Sequence, residues 1–264
     1  MKIFSGQAKA TKTIPDAVFA EGVAQMLADR LRDVTRRDFA DALWVGADTP
    51  MDKNIARLDR RDIAFEGENE RFPFPEASLD LIVVNGALHT LNDLPGALVQ
   101  MRRALKPDGL FLAALPGGET HHALRESLMR VEAAGGKGAA ARMHPTIDLQ
   151  SWAALLQRAG FALPVADTEA KTIFYKDFKR MLRDIKNSGE GLRLAQSPPY
   201  PGHDFWDAVA ADYQERHQTP DGLLPARIEI LFGIGWGPAE SQQKPQRPGT
   251  AQQRLADALQ ARGH

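Results

Sequence analysis

The sequence predicts an α/β protein with a mostly parallel sheet and helices on both faces, and three observations carry that prediction. Short apolar runs alternate with amphipathic stretches between Ala42 and Leu115, giving a strand–helix–strand rhythm. The runs are continuously apolar, as in Leu81-Ile82-Val83-Val84, which suits strands buried on both faces rather than half-exposed ones. At 264 residues, 43% hydrophobic and 25% charged, the chain can fill the core of one elaborated domain of roughly 200–250 residues with appendages.

Each element has a local reason. From Pro15 to Asp33, Val18, Phe19, Val23, Met26, Leu27 and Leu31 recur at three- and four-residue spacing, the mark of an amphipathic helix laid on a core. Ala42 to Gly46 is a strand. A short helix carrying Ile55 and Leu58 is expected after Pro50, followed by a short strand at Ile63 to Glu66. The turn Gly67-Glu68-Asn69-Glu70 leads through Phe72-Pro73-Phe74-Pro75 into a strand at Leu79 to Val84. Leu94 to Leu105 is a helix, Lys106-Pro107-Asp108-Gly109 a turn with Pro and Gly suitably placed, and Leu110 to Leu115 a strand. Beyond the flexible Pro116-Gly117-Gly118, a helix is expected from Glu119 to Ala134, with Glu119 in its first turn. Gly135 to Ala141 is a connector. Asp148 to Arg158 is a helix capped by Gly160, Phe161 to Tyr175 one or two strands, and Phe178 to Lys186 and Phe205 to His217 helices. Leu224 to Trp236 is a final apolar strand. Pro238 to Thr250 is a Gln- and Pro-rich linker, and Ala251 to Arg262 a short tail helix.

Composition narrows the function. A formal net charge of −1 gives no global field for nucleic acid or an anionic membrane. The absence of cysteine excludes disulfides, thiolate metal sites and a cysteine nucleophile. Met1 to Gly6 lacks the apolar segment of a signal peptide, and no uncharged apolar run is long enough to span a bilayer. A soluble cytoplasmic protein is the expectation.

Several constellations could carry chemistry. Glu68 could accept from an exocyclic amine and the Asn69 backbone could offer an amide to a purine, against the plain alternative that Glu68, Glu70 and Arg71 are solvated. Asn85 to Asp93 follows a parallel strand and so lies at the carboxyl edge of the sheet, where open α/β folds bind ligands. His89 there could serve as acid or base, although a lone His more often packs or hydrogen-bonds. The adjacent His121 and His122 invite a metal, but their side chains diverge and no third ligand stands at zinc-motif spacing, so none is expected. Lys179, Arg183 and Lys186 share a helix face that is read as solvated rather than as a partner surface. No Ser-His-Asp arrangement or phosphate-binding loop of the G-x-x-x-x-G-K-[ST] type is evident.

The segment Gly67 to Leu115, with its turn, strand, helix and Lys-Pro-Asp-Gly turn, resembles the class I S-adenosylmethionine-dependent methyltransferases. Leu91 to Leu98, Arg102 to Phe111, Gly117-Gly118-Glu119-Thr120 with Leu124 to Leu128, Leu182 to Glu190 and Gly233-Ile234-Gly235-Trp236 are similar to the methyltransferase-like complex I assembly factor 5 family and its bacterial relatives. This likeness covers Thr13 to Pro238. It implies a Rossmann-like methyltransferase fold, a seven-stranded sheet with its last strand antiparallel, S-adenosylmethionine as cofactor, and a respiratory-complex subunit as protein partner. By position, the resemblance gives Gly46 and Asp48 to the first motif loop, Glu68 to adenine, Asn69 to the adjoining ring contact and Asn85 to the loop after the fourth strand. No catalytic residue is assigned. The family's G-x-G-x-G is replaced by Gly46-Ala47-Asp48-Thr49-Pro50, and only about twenty residues separate Gly46 from Gly67. Helices rise about 1.5 Å and strands about 3.3 Å per residue, so that span is too short for two helices and a strand with their loops. One strand–helix unit is therefore expected to be missing. A different alignment makes Ile63 to Glu66 the second strand and Glu66 the ribose acid. The continuation through Phe72-Pro73-Phe74-Pro75 favours the first. The domain expectation is one unit over residues 1–238, with a leading helix at 13–34, a cofactor half at 42–115 and a substrate half at 116–238, then a tail at 239–264. Two functions follow: methyl transfer with cofactor binding weakened or lost, or a non-catalytic assembly factor that binds a protein partner.

Overall fold

The computed structural model describes residues 18–34, 39–46, 58–61, 70–86, 88–135, 140, 142–187 and 198–243. Helix α1 (Val18–Val34) leads into β1 (Ala42–Gly46), β2 (Leu58–Arg61) and β3 (Leu79–Asn85). Then come α2 (Leu94–Ala104), β4 (Leu105–Pro116), α3 (His122–Ala134), α4 (Leu149–Ala159), β5 (Ala162–Tyr175), α5 (Phe178–Ile185), α6 (His203–His217) and β6 (Leu224–Trp236). The described strands form one six-stranded sheet in the order β2-β1-β3-β4-β6-β5. Neighbours from β2 to β4 run parallel, and β6 is antiparallel to both β4 and β5. The expected fold class is thus observed.

Period-two alternation sends each strand's side chains to opposite faces. On one face Leu43, Val45, Ile82, Val84, Phe111 and Leu115 pack against Leu98 and Met101 of α2 and Trp152 and Leu156 of α4. On the other, Trp44, Leu81, Val83, Leu112 and Phe232 pack against Val23, Leu27 and Leu31 of α1. Each fully buried Leu, Ile, Val or Phe side chain contributes roughly 1.5–3 kcal/mol, so these two layers account for most of the sheet's stability. Trp152 also donates from Nε1 to the Phe232 carbonyl (3.1 Å), tying α4 to β6 through the core. A third core lies beyond the carboxyl end of β4. The first half of β6, Leu224 to Glu229, pairs only with β5, and its Leu224 and Ala226 pack with α3, α5 and α6.

Local details depart from the sequence reading. Leu58, expected in a helix, opens β2, which pairs in register from Ala42↔Leu58 to Val45↔Arg61. Four extended residues along the edge of β1 outweigh a weak helical pattern. The Ile63 to Glu66 strand and the tail helix lie outside the described residues. Lys106 to Gly109 is absorbed into the start of β4, with Asp108 at φ 62° and its N–H donating to Gly237 (3.0 Å). Helix α3 begins three residues later than expected, and Glu119 belongs to the preceding turn. Asn85 ends β3 rather than beginning the loop after it.

Candidate functional site at the carboxyl edge of the sheet

Strand β1 connects to β2 on one side while β3 lies on the other, so the order reverses between β1 and β3. At such a switch point, outside the carboxyl ends of the strands, open α/β folds bind their ligands in a crevice. Gly46 and Asn85 stand there as register partners. Gly46 has φ +108°, and a Cβ at that position would lie 2.0 Å from the Asn85 carbonyl oxygen. Only glycine serves. Asn85 is buried, and the chain turns at Gly86, whose N–H donates to Ala114 (2.9 Å). Among the described residues the backbone at Gly86 borders open space, since a Cβ added there meets none of them within 4 Å. Of the residues assigned by resemblance, the structure therefore brings Gly46 and Asn85 together. Asp48, Glu68 and Asn69 lie outside the described residues.

Of the acidic turn, Glu70 is described, and it is not simply solvated. Glu70 accepts from the backbone and side-chain N–H groups of Asn92 (2.8 and 2.9 Å) and from Asp93 N–H (2.9 Å). Its carbonyl accepts from Gln100, whose Oε1 accepts from Phe72 N–H (2.9 Å). A charge-assisted clasp of this kind fixes Glu70 to the start of α2. Asp93 in turn caps that helix through Gly96 N–H. The signal in the sequence was the polar pair Asn92-Asp93 directly before a helix.

Beside the crevice lies a small pocket lined by His89, Thr120, His121, Arg125, Met143 and His144, with Pro116, Pro145 and Thr146. Three segments build it. The turn of 3₁₀ helix at Leu88–Thr90 buries Leu88 in the core and sets His89 edge-on to His144, with ring centroids 5.6 Å apart. The second wall is the turn Gly117 to His121, held by β6. Glu229 accepts from Glu119 N–H through Oε2 (2.9 Å) and exchanges hydrogen bonds between its backbone and Thr120 Oγ1 (2.7 and 3.1 Å). Gly117 has no room for a side chain, because Glu229 Oε2 would sit 2.4 Å from its Cβ. His121 N–H donates to Arg227 (2.8 Å), holding His121 in the left-handed region at φ 53°, ψ 31°. Sequence reasoning passed over Glu229 because its partners lie over a hundred positions away. The third wall, Met143 to Thr146, is tethered by Arg142, which pairs with the buried Glu132 (2.5 Å), donates to Pro199 (3.3 Å) and lies over the Phe205 ring.

The electrostatics of the pocket are uneven. His121 is 6% exposed, and burial, aided by the Arg125 charge, pulls its pKa down to about 4. It is neutral at physiological pH. Its Nδ1 is buried without a hydrogen-bond partner among the described residues. Arg125 donates to the carbonyls of Gly118 (3.1 Å) and Thr120 (3.2 Å), using two of its five N–H groups. Burial disfavours its charge and Glu119 favours it. The adjacent histidines part as expected: His121 faces the pocket, whereas His122 is exposed and pairs with Glu126 (3.4 Å). Among the described residues no group of three or more His, Asp or Glu is placed to hold a metal. Lys179 and Arg183 of α5 and Lys186 at its C-cap are exposed, consistent with a solvated face.

A switch point at Gly46 and Asn85, in a sheet whose final strand is antiparallel, is the fold of the class I S-adenosylmethionine-dependent methyltransferase superfamily, and comparison with known proteins places the chain there. The model of the methyltransferase domain family matches residues 22–113. The YcgJ protein of Bacillus subtilis, 15% identical, shares the fold with a TM-score of 0.50 over 81% of this chain and 99% of that one. The chain is 34% identical to arginine-hydroxylase NDUFAF5, mitochondrial, of Danio rerio, across 90% of its own length and 80% of that protein. It belongs to the NDUFAF5 family. It is also 32% identical to malonyl-acyl-carrier-protein O-methyltransferase of Gallionella capsiferriformans, across 64% of this chain and 56% of that protein. No helix among the described residues is long and apolar enough to cross a membrane.

Proposed function

We propose that this chain binds S-adenosylmethionine in the crevice above Gly46 and Asn85 and presents an acceptor group to it from the adjoining pocket. One observation carries the reading. The residues that follow Asn85 reach the pocket within a single short turn, so His89 lines the pocket while Asn85 lies beneath the crevice. The described residues fit the cofactor: Gly46 and Asn85 stand in register at the switch point, and the backbone at Gly86 borders open space. Asp48, Glu68 and Asn69 are assigned to the rest of the ligand, with Glu68 at the adenine. When bound, S-adenosylmethionine supplies a methyl group already activated on sulfonium. The protein's share is then orientation and exclusion of water more than proton transfer. Gly46 and Asn85 fix the floor, His89 and Thr120 bound the approach, and the loop at Met143 to Thr146 shields it. In this reading residues 42–115 form the cofactor half and 116–238 the acceptor half of one unit over 1–238, followed by the tail 239–264, acting in the cytoplasm. Calorimetric titration with S-adenosylmethionine and S-adenosylhomocysteine tests it. Saturable heat and a raised unfolding temperature are expected, since a ligand at a hundred times its Kd stabilises the native state by about 2.7 kcal/mol. No heat and no thermal shift at millimolar ligand would sink the proposal.

A second reading, a non-catalytic assembly factor that holds a respiratory-complex subunit, is favoured by β5. It is the outer strand of the sheet and exposes Leu163, Val165, Ile173 and Phe174. A long apolar edge strand is a template for pairing with another chain. Deuterium exchange with and without a purified candidate subunit decides: protection confined to β5 supports this role, and unchanged exchange along β5 removes it.

A further inference from the structure

We infer that β5 pairs with the β5 of a second copy of this chain, antiparallel about a two-fold axis through Ala170, so that two sheets join into one. The inference goes beyond both readings above and takes up the edge that the second of them gives to a subunit. Strand β5 has 14 residues, against about five or six in an ordinary strand, and among the described strands it pairs only with β6. Its side chains are mostly exposed along its whole length, on both faces. The described helices thus leave it uncovered, and a second strand can come alongside at the usual spacing of about 4.8 Å. Charged side chains often protect such an edge from pairing, and Asp167, Glu169 and Lys171 offer that plain explanation.

The order of those charges argues for pairing instead. In an antiparallel pair about a two-fold axis, a residue some places before the axis stands opposite the one as many places after it. With the axis on Ala170, Glu169 of each copy faces the partner's Lys171, Thr168 faces the partner's Thr172, and Val165 faces the partner's Tyr175. Opposite charges, paired threonines and an aromatic against a β-branched side chain are the cross-strand pairs that stabilise a sheet. Neighbouring axes meet like charges. One on Thr168 sets Asp167 against Glu169, one on Glu169 sets that carboxylate against its own copy, and one on Lys171 does the same with the ammonium. An axis between two residues would set an outward-pointing amide against an inward-pointing one. Ala170 is also the midpoint of the regular part of β5, whose ladder with β6 runs in register from Val165 to Tyr175 and shifts before Val165. Charge and geometry choose the same axis. Glu169 is held in place by Arg30 (2.9 Å), and a carboxylate has further acceptor sites for a second cation. Asp167, which falls opposite Ile173, keeps its own pair with Arg30 (3.1 Å).

An edge-to-edge contact is small and belongs with transient associations, so the dimer is expected in concentrated solution and the edge is open in dilute solution. Sedimentation of the full chain from about 10 μM to 1 mM, a range that brackets weak complexes, should show a reversible monomer–dimer equilibrium. Glu169→Lys sets two ammonium groups opposite each other and Lys171→Glu sets two carboxylates so, and each variant alone should self-associate at least ten-fold more weakly. An equimolar mixture of the two variants restores both opposite-charge pairs and should recover the association of the unaltered chain. The chain has no cysteine, so Ala170→Cys carries a single thiol on the axis, at a separation that a disulfide can span. Mild oxidation should link this variant into a covalent dimer at least ten-fold faster than Ala166→Cys, whose position faces the partner's Phe174. A monomer at every concentration, reversals without effect, a mixture no better than its parts, or equal linking of the two cysteine variants would overturn the inference. The unaltered chain and Ala170→Cys decide even where Glu169→Lys fails to fold. No subunit is present in these measurements, so their failure leaves the exchange experiment on a candidate subunit, made in dilute solution, to be judged on its own.

Discussion

His121 concentrates the cost of this site in one residue. Its left-handed backbone is uncommon for a residue other than glycine and is strained by about 1–3 kcal/mol, and its ring is buried with the neutral form enforced. Strain and burial at one position mark a place where the surrounding structure holds a group against its preference. Its titration gives a pH dependence with a definite sign. The folded pKa lies near 4, below the ordinary 6.5, so between these values the unfolded chain binds the extra proton. Stability is full above about pH 6.5 and is lost as pH falls towards 4, by about 3 kcal/mol in all. His217, whose pKa is also lowered chiefly by burial, adds in the same direction. Urea denaturation across pH 4 to 7 should show this decline, and His121→Asn, which tolerates the left-handed region, should flatten it. An unchanged slope in the variant would show that His121 is not its source.

At the scale of elements, turns held from a distance shape the pocket more than the helices beside it. The loop before α4 is secured by one ion pair, since Arg142 reaches Glu132 of α3, the Pro199 carbonyl and the Phe205 ring of α6. Glu132 also accepts the Ala140 N–H. Removing the cation leaves a buried carboxylate uncompensated, which costs far more than the pair itself is worth. Arg142→Ala should therefore destabilise the protein by roughly 3 kcal/mol, whereas Glu132→Gln combined with Arg142→Met should recover most of that loss. Equal costs for the single and double variants in chemical denaturation would contradict the account. Glu229 plays the matching part for the turn Gly117 to His121. Neither tie was legible in the sequence, because each joins residues that no local period relates. The helices were legible: α2, α4 and α5 have apolar faces and capping side chains, Asp93, Asp148 and Asp177, that act within a turn or two of chain, and they fall within one or two residues of expectation.

Across the whole molecule, the sheet places a protected centre beneath the crevice and an open edge at β5. Strands β3 and β4 are flanked on both sides and buried on both faces, while β5 pairs only with β6 among the described strands. Native-state hydrogen exchange should therefore find the slowest amides in β3 and β4, opening only with global unfolding, and fast exchange at alternate amides along the outer side of β5. Uniform protection across β5 would show that its edge is covered. The sequence by itself determined the strands other than β2 and the order of those elements, because continuous apolar runs, helical spacing and capping residues act over a few positions of chain, and its motifs carried the resemblance that named the family. It also placed Asn85 and His89 at the carboxyl edge of a strand. It did not foresee β2 at Leu58, since a four-residue strand on the edge of β1 is fixed by its neighbour's backbone and not by its own pattern. Nor did it foresee that His121, parting from His122 as expected, would enter a pocket with His89, His144 and Arg125. That was decided only by the tertiary structure, because a site is set by side chains that meet across the sheet's edge, held there by Glu229 and Arg142 from distant parts of the chain.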